Sequence, residues 1–124
     1  MVKSIGIDIV EIERITKDIK KYGNRFVERI LGSDELSLYE KRHDKGQFIS
    51  GRFAAKEAVI KALGQYLKDK PPFNEIQILN DNTGQPKLHI SKEITKKIGQ
   101  AICLISITHE KKYAAAVAVF TEEK

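Results

Sequence analysis

The sequence has little of the material that builds disulfide-rich or membrane-embedded proteins. It contains one cysteine, three prolines and no tryptophan in 124 residues. A lone Cys103 forms no internal disulfide, which favours a reducing compartment, and we expect a cytoplasmic protein. No apolar run approaches the ~20 residues of a membrane span, and residues 1–9 lack the features of a signal peptide. One cysteine and three scattered histidines also give no zinc or iron–sulfur spacing.

What the chain does have is enough apolar material for a real core. Hydrophobic residues make up 41% of the sequence, and the length predicts a single domain over residues 1–124. The 22 basic and 17 acidic residues give a net charge of +5. This excess suits anionic partners such as nucleic acid, membrane surfaces, phosphorylated ligands or acidic proteins. The charge alone does not choose among them.

The hydrophobic periodicity alternates between strand and helix patterns. Period-two alternation predicts strands at residues 4–9, 75–79, 87–90, 102–108 and 113–120. Helical spacing predicts helices at residues 12–22, 25–31, 34–42, 47–63 and 92–99. In the first half of the chain the strand is followed by helices, and in the second half the strands come as hairpins. This order indicates an α+β domain with a small, mostly antiparallel sheet and one long helix. With so small a sheet, we expect another subunit to cover some of its apolar surface.

Asp8 lies where an isoleucine-rich strand meets a helix, and a partly buried carboxylate there needs a cation, hydrogen-bond donors or a proton. One interpretation makes it the N-cap of the next helix, with Glu11 completing a capping box. The other makes it a metal ligand. The residues alone favour the cap, because caps outnumber metal ligands.

Glu57, Lys61 and Gly64 share one face of the long helix, at positions i, i+4 and i+7. In the simplest interpretation, Glu57 and Lys61 form a solvated pair worth ~0.3 to 0.5 kcal/mol. In the functional one, Glu57 joins Asp8 in holding Mg²⁺, a hard cation that takes one or two carboxylates together with water and phosphate oxygens. Lys61 then reaches a phosphate of the same ligand.

Two other segments carry polar groups suited to anions. Ser106 lies on one face of a predicted strand, and His109 stands at the end of that strand. His109 is either part of an anion site together with the Ser106 hydroxyl or an ordinary surface histidine. Arg14, Lys17 and Lys21 share one face of the first helix, as a solvated flank or as a docking surface for an acidic partner. Aromatic residues are scarce there, which argues against stacking of single-stranded nucleic acid. A basic nucleic-acid-binding module remains an alternative supported by the charge alone.

Four segments, in this order along the chain, form a recognisable set. They are Ile5 to Ile15 with its Gly6 and Asp8, the helical residues Phe53, Lys56, Glu57, Ala58 and Lys61, the turn from Asn82 to Pro86, and Ser106 to His109 followed by Tyr113 to Ala116. Together they resemble the holo-[acyl-carrier-protein] synthases, the small class of 4′-phosphopantetheinyl transferases. The similarity spans essentially the whole chain.

The resemblance implies transfer of 4′-phosphopantetheine from coenzyme A to a serine hydroxyl of an acyl carrier protein of fatty acid biosynthesis. Adenosine 3′,5′-bisphosphate is then released. The implied cofactor is Mg²⁺, held by Asp8 and Glu57, with Lys61 assisting at the phosphates. The implied assembly is a homotrimer with active sites between subunits. A transferase for a polyketide or peptide synthase carrier is an alternative.

The resemblance also assigns binding residues. Those implied to contact coenzyme A, some of them from an adjoining protomer, are Arg52, Lys61, Gly64, Pro86, Ser106 and His109. Arg14 matches a position in the helix that docks the acidic carrier. Two candidates for the base remain open, namely Asp34 and Glu57 acting through a metal-bound water molecule. Many relatives continue with Gly-Thr-Gly where Gly64 is here followed by Gln65 and Tyr66.

Overall fold

The computed structural model, which describes residues 1–123, contains five α-helices and five strands in the described part of the chain. The helices are α1 (Ile12–Tyr22), α2 (Asn24–Ile30), α3 (Ser33–Glu40), α4 (Lys45–Leu63) and α5 (Lys92–Ile98). The strands are β1 (Val2–Glu11), β2 (Gln77–Asn80), β3 (Pro86–His89), β4 (Ile102–His109) and β5 (Tyr113–Thr121). A 3₁₀ turn at Phe73–Glu75 leads into β2. No helix in the described part of the chain is long and apolar enough to cross a membrane.

The strands form two small antiparallel units, which confirms the predicted α+β class. β5 is the centre of a three-stranded sheet with the order β1-β5-β4, so the first strand of the chain pairs with the last. β2 and β3 form a separate hairpin, and β3 packs beside β4. The register places Asp8 opposite Ala116.

Helix α4 crosses the inner face of the three-stranded sheet at close range because small residues line the crossing. A Cβ on Gly6 would lie 1.9 Å from the carbonyl oxygen of Ala58. Three of the inward residues of the central strand β5 are buried alanines, namely Ala114, Ala116 and Ala118. This close approach brings the inward face of β1, which includes Asp8, directly against α4.

The outer face of the same sheet is apolar and open to solvent. The side chains of Ile5, Ile7 and Ile9 on β1 are 64–67% exposed, and Ile102 and Leu104 on β4 are more than half exposed. Val117 and Val119 of β5 lie between these two rows. A contiguous apolar face of this kind marks an interaction surface.

The capping interpretation of Asp8 is wrong. The ladder between β1 and β5 continues to the pair Glu11–Tyr113, and the Ile12 N–H donates to the Lys112 carbonyl at 2.8 Å. Because these backbone contacts extend the strand past Asp8, α1 begins only at Ile12. The side chain of Asp8 therefore points from a strand towards α4.

Most other element predictions differ from the structure by only a few residues. Helix α4 begins two residues early, because the Asp44 carboxylate accepts the Gln47 N–H at 2.9 Å and caps it. Ser91 caps α5 as expected, accepting the Ile94 N–H at 3.3 Å. Cys103 is half buried against the core, and burial raises the pKa of its thiol to about 12, so it serves as a small hydrophobic residue.

Candidate active site

Asp8 and Lys61 meet where β1 crosses the C-terminal half of α4. Lys61 Nζ lies 3.4 Å from Asp8 Oδ1 and donates to the Ile7 carbonyl oxygen at 2.8 Å. The Asp8 side chain is mostly buried, whereas half of the Lys61 side chain faces solvent. Glu57 is half buried one helical turn before Lys61, on the same face of α4. Two carboxylates and an ammonium group thus lie along one seam between strand and helix.

The donor chemistry of this seam suits Mg²⁺. Within residues 1–123, no group of three or more His, Cys, Asp and Glu side chains is placed to hold a metal ion. Mg²⁺ does not need one, since it usually takes one or two carboxylates and completes its shell with water and substrate phosphate oxygens. Asp8 and Glu57 supply such hard oxygen donors. The structure therefore keeps both residues as candidate ligands.

A second feature is an open cavity of about 500 Å³ beside the N-terminal half of α4. Its lining contains four residues that the sequence analysis assigned to coenzyme A, namely Arg52, Pro86, Ser106 and His109. Arg42, His43 and Asn80 also line it. The volume lies within the ~300 to 1,000 Å³ typical of small-molecule sites. Its concentration of basic and amide groups suits a phosphorylated ligand.

Arg52 is the anchored cation of this cavity. Its guanidinium stacks over the ring of Phe48, with 4.6 Å between Cζ and the ring centroid, and Nη2 donates to Asn80 Oδ1 at 3.3 Å. Its Nε is buried without a hydrogen-bond partner among the described residues. Burial lowers the pKa of Arg52, with Glu35 opposing and Arg42 reinforcing that shift. An anion bound beside Arg52 in the cavity would oppose the lowering.

The turn between β2 and β3 shapes one wall of the cavity. The Asp81 carboxylate accepts the Thr83 hydroxyl at 2.6 Å and the backbone N–H groups of Thr83 and Gln85 at 2.8 and 3.1 Å. These hydrogen bonds, led by the Thr83 hydroxyl, lower the pKa of Asp81. Gly84 completes the turn with a φ of +88°, a conformation that side-chain-bearing residues rarely adopt. The turn is thereby fixed before any ligand binds.

The seam and the cavity do not merge within one chain. Arg52 and Lys61 are nine residues apart on α4, which separates them by ~13 Å along the helix axis. Asp8, Glu57 and Lys61 do not line the cavity, and Gly64 lies at a separate small cleft near Leu67 and Pro71. Asp34 lies exposed in the first turn of α3. One chain therefore presents two partial sites.

The basic surface predicted on α1 is exposed and extends into α2. Arg14, Lys17 and Lys21 are all exposed, and Lys17 also contacts Glu13. Next to them is an open groove of about 410 Å³, lined by Tyr22, Arg25, Phe26 and Arg29. The groove combines aromatic rings with two arginines.

Sequence reasoning missed several residues that build these sites. Phe48 is recoverable in hindsight, because it lies one helical turn before Arg52 and is therefore its neighbour. Asn80 carries no local signal, since its partner Arg52 lies 28 residues away along the chain. Phe26 gave no signal of a groove, because it precedes Val27 and belongs to the apolar residues of a short helix that packs on the core.

Comparison with known proteins finds one enzyme family over nearly the whole chain. The family model for the 4′-phosphopantetheinyl transferase superfamily matches residues 4–118. The holo-[acyl-carrier-protein] synthase of Protochlamydia amoebophila is 43% identical, with 98% of this chain and 99% of the relative covered. That of Aliivibrio fischeri is 40% identical, with 94% of each covered.

Solved structures agree. The holo-[acyl-carrier-protein] synthase from Neisseria meningitidis superposes with a TM-score of 0.89 at 30% identity, covering 98% of this chain and all of that one. The Helicobacter pylori synthase in complex with coenzyme A gives a TM-score of 0.83 at 37% identity, covering 94% and 99%. The chain therefore belongs to the 4′-phosphopantetheinyl transferase superfamily, as an enzyme of the holo-[acyl-carrier-protein] synthase family.

Proposed function

We propose that this enzyme transfers 4′-phosphopantetheine from coenzyme A to a serine hydroxyl of an apo acyl carrier protein in the cytoplasm, with Mg²⁺ as cofactor. The serine oxygen forms a bond to the phosphorus next to the pantetheine. The bond from that phosphorus to the bridging oxygen breaks, and adenosine 3′,5′-bisphosphate leaves with the electron pair. The observation that carries the proposal is one helix, α4, bearing both a carboxylate–ammonium seam and an arginine-anchored cavity.

The cavity suits the adenosine bisphosphate end of coenzyme A. Arg52 is buried and held by Phe48 and Asn80, and its Nε has no hydrogen-bond partner within residues 1–123. His109 and Ser106 add further donors at the rim. The Helicobacter pylori relative is described as a complex with coenzyme A, and a Bacillus anthracis relative as a complex with coenzyme A and 3′,5′-ADP. We therefore assign phosphate recognition to Arg52 and His109.

The seam suits the reacting pyrophosphate. Mg²⁺ held by Asp8 and Glu57 would neutralise charge on the phosphates and polarise the phosphorus under attack. Lys61 places a solvent-facing ammonium beside Asp8 and stabilises negative charge that builds on the leaving oxygen. The proton of the serine hydroxyl passes to a carboxylate, for which Asp34 and Glu57 are the two candidates.

We propose further that the active unit is a homotrimer. The exposed isoleucines of β1 and the apolar residues of β4 form a face that a second copy can cover. Ser106 lies in β4 next to that face, and one chain keeps its seam apart from its cavity. Association of copies through this face would place the seam of one protomer beside the cavity of the next.

The carrier is proposed to dock on the basic face of α1 and the adjoining groove. Arg14, Lys17 and Lys21 present positive charge along one side of α1. The rings of Tyr22 and Phe26 in the groove offer apolar contact to a helix of the carrier. An acidic carrier protein complements this surface, and charge of opposite sign accelerates encounter and sets orientation.

The decisive experiment incubates the enzyme with coenzyme A, Mg²⁺ and apo carrier proteins from fatty acid, polyketide and peptide synthesis. We expect mass spectrometry to find one phosphopantetheine added to the fatty acid carrier, and none to a carrier whose acceptor serine is alanine. A lack of mass gain with every carrier would contradict the proposal. Tight, steeply salt-dependent binding to nucleic acid without any transfer would favour a nucleic-acid-binding module instead.

A further inference from the structure

Two arginines share one aromatic ring at the cavity beside α4. The guanidinium Cζ of Arg42 lies 5.0 Å from the centroid of the Phe48 ring, and that of Arg52 lies 4.6 Å from the same centroid. All three residues line the cavity. The two Cζ atoms therefore lie within about 10 Å of each other, a distance over which ~0.1 M salt does not fully screen their repulsion. The fold thus places two like charges at one opening.

The turn that carries Arg42 is held in place, although the residue is exposed. The Arg42 N–H donates to the Tyr39 carbonyl at 3.0 Å, and the Arg42 carbonyl accepts from Lys45 Nζ at 3.0 Å. The side chain lies over Phe48, which is only 8% exposed and packs against Tyr39 with 6.3 Å between ring centroids. Attraction between a guanidinium and a ring face is favourable even at a surface. Arg42 therefore presents its charge to the cavity from an anchored turn.

No carboxylate neutralises the two guanidinium groups within residues 1–123. The ion pairs in that part of the chain involve neither Arg42 nor Arg52. Among the described residues that line the cavity, Asp44 is the one with an acidic side chain. Its Oδ1 accepts the Gln47 N–H at 2.9 Å as the cap of α4. The cavity therefore has more positive than negative charge in its lining.

The neighbouring charges act on Arg52 as this arrangement predicts. Burial lowers the pKa of Arg52, the charge of Glu35 opposes the lowering, and the charge of Arg42 adds to it. Glu35 is already paired with Lys56 at 2.5 Å, so this carboxylate is shared between two cations. A bound anion would relieve the remaining repulsion.

A phosphomonoester is the anion that matches two guanidinium groups. It carries about −1.5 to −2 charges at neutral pH, and a guanidinium can donate two hydrogen bonds to two of its oxygens. Coenzyme A has one phosphomonoester, at the 3′ position of its ribose, whereas each phosphate of its pyrophosphate carries a single charge. We infer that Arg42 and Arg52 together bind this 3′-phosphate, and that Arg42 makes the enzyme prefer coenzyme A over 3′-dephospho-coenzyme A. The inference rests on the proposed function, which assigns the pyrophosphate to the seam.

Kinetics with the two donors test the role of Arg42. Arg42→Gln keeps a polar side chain and removes the charge. We expect it to raise the KM for coenzyme A by about tenfold and to leave the KM for 3′-dephospho-coenzyme A unchanged. The kcat should stay the same, because a contact remote from the reacting phosphorus is equally strong in the ground state and the transition state. Lys41→Gln is the matched control, since Lys41 is an exposed cation on the same turn but does not line the cavity, and it should change neither KM.

Phe48→Leu tests the ring as the positioning residue of Arg42. The substitution keeps an apolar side chain and removes the ring face. It should raise the KM for coenzyme A at an unchanged kcat, and Arg42→Gln should then add much less than tenfold, because the guanidinium is already misplaced. A full tenfold addition in the double variant would overturn the role of the ring.

Calorimetry measures the same contact without a carrier or turnover. Adenosine 3′,5′-bisphosphate should bind about tenfold more weakly to Arg42→Gln than to the unmodified enzyme. Arg42→Lys should recover part of the loss, because it restores the charge without the planar group. Unchanged binding in Arg42→Gln, or an equal rise in KM for both donors, would overturn the inference. Absence of transfer by the unmodified enzyme is a different result and would contradict the proposed function.

Discussion

Helix α4 carries two lysine–carboxylate pairs that differ in their access to water. Lys56 and Glu35 are both completely buried and lie 2.5 Å apart. Lys61 and Asp8 lie 3.4 Å apart, with 53% of the Lys61 side chain and 18% of the Asp8 side chain exposed. The two lysines are only five residues apart in the sequence. Their environments nevertheless give them different roles.

The difference lies in how many hydrogen bonds remain available. An ammonium group has three donors, and those of Lys56 are used by Glu35 and by the carbonyl oxygens of Ile30 and Phe73. Lys61 contacts only Asp8 and the Ile7 carbonyl among the described residues, and half of it faces solvent. A fully satisfied buried pair can only hold the fold together. A partly satisfied exposed pair can take a phosphate.

The largest expected effect comes from breaking the buried pair. Lys56→Met should lower the free energy of unfolding by ~3–5 kcal/mol, because Glu35 is left as a buried charge without its cation. Urea denaturation measures this loss. The double variant Lys56→Met, Glu35→Met should recover part of it, because no charge is then stranded. A loss below about 1 kcal/mol in the single variant would show that the pair is not the main support of α3.

Asp8→Asn tests the exposed pair from its carboxylate side. We expect kcat to fall by about 10²- to 10³-fold, because the carboxylate proposed to hold Mg²⁺ at the phosphates is lost. The melting temperature should be unchanged, because the substitution leaves the hydrophobic core intact. Transfer of phosphopantetheine to the carrier measures kcat, and thermal unfolding measures stability. Asp69→Asn, at an exposed loop position, is the matched control. Unchanged transfer by Asp8→Asn would remove Asp8 from the site.

The contrast between the two pairs could be predicted from sequence only in part. Spacing on one helical face identified Glu57 and Lys61, and the resemblance to the family favoured their association with Asp8 over the simpler interpretations. Nothing local distinguishes Lys56 from Lys61, since both lysines follow apolar residues of the same helix. Burial of Lys56 depends on Glu35, 21 residues earlier, and on the start of β2. Such contacts are set by tertiary packing, which periodicity does not describe.

For the fold, too, local sequence signals predicted some features, whereas tertiary packing set the others. Element types followed from periodicity, and the caps at Ser91 and Gly99 followed from local chemistry. The capping interpretation of Asp8 was wrong because the end of β1 is set by pairing with β5, more than a hundred residues later. A sequence window cannot see that partner. Local rules therefore predicted where helices end better than where strands end.

Lys61→Met tests the same pair from its cation side, with a smaller expected effect. The kcat should fall by about 10- to 10²-fold, because one of several groups that stabilise phosphate charge is lost. The melting temperature should stay within a few degrees of the original, since an exposed pair contributes little to stability. Lys56→Met is the same substitution five residues earlier on the helix. The difference between the stability losses of the two variants therefore measures the effect of burial. A large loss of stability in Lys61→Met would erase the distinction between the pairs.

A third pair, Lys17 with Glu13 on α1, extends the comparison to full exposure. Lys17 Nζ lies 3.4 Å from Glu13 Oε1, and more than 70% of each side chain faces solvent. Lys17→Met should leave both stability and kcat unchanged, because such a pair is screened and conformationally loose. It should raise the KM for the carrier by about threefold at low salt, and less at high salt, because a cation on a docking face acts mainly by attracting the acidic partner. Carrier kinetics at two salt concentrations measure this, with Lys97→Met on α5 as the control. If Lys17→Met and the unmodified enzyme had the same KM for the carrier at both salt concentrations, the carrier would dock elsewhere on the molecule.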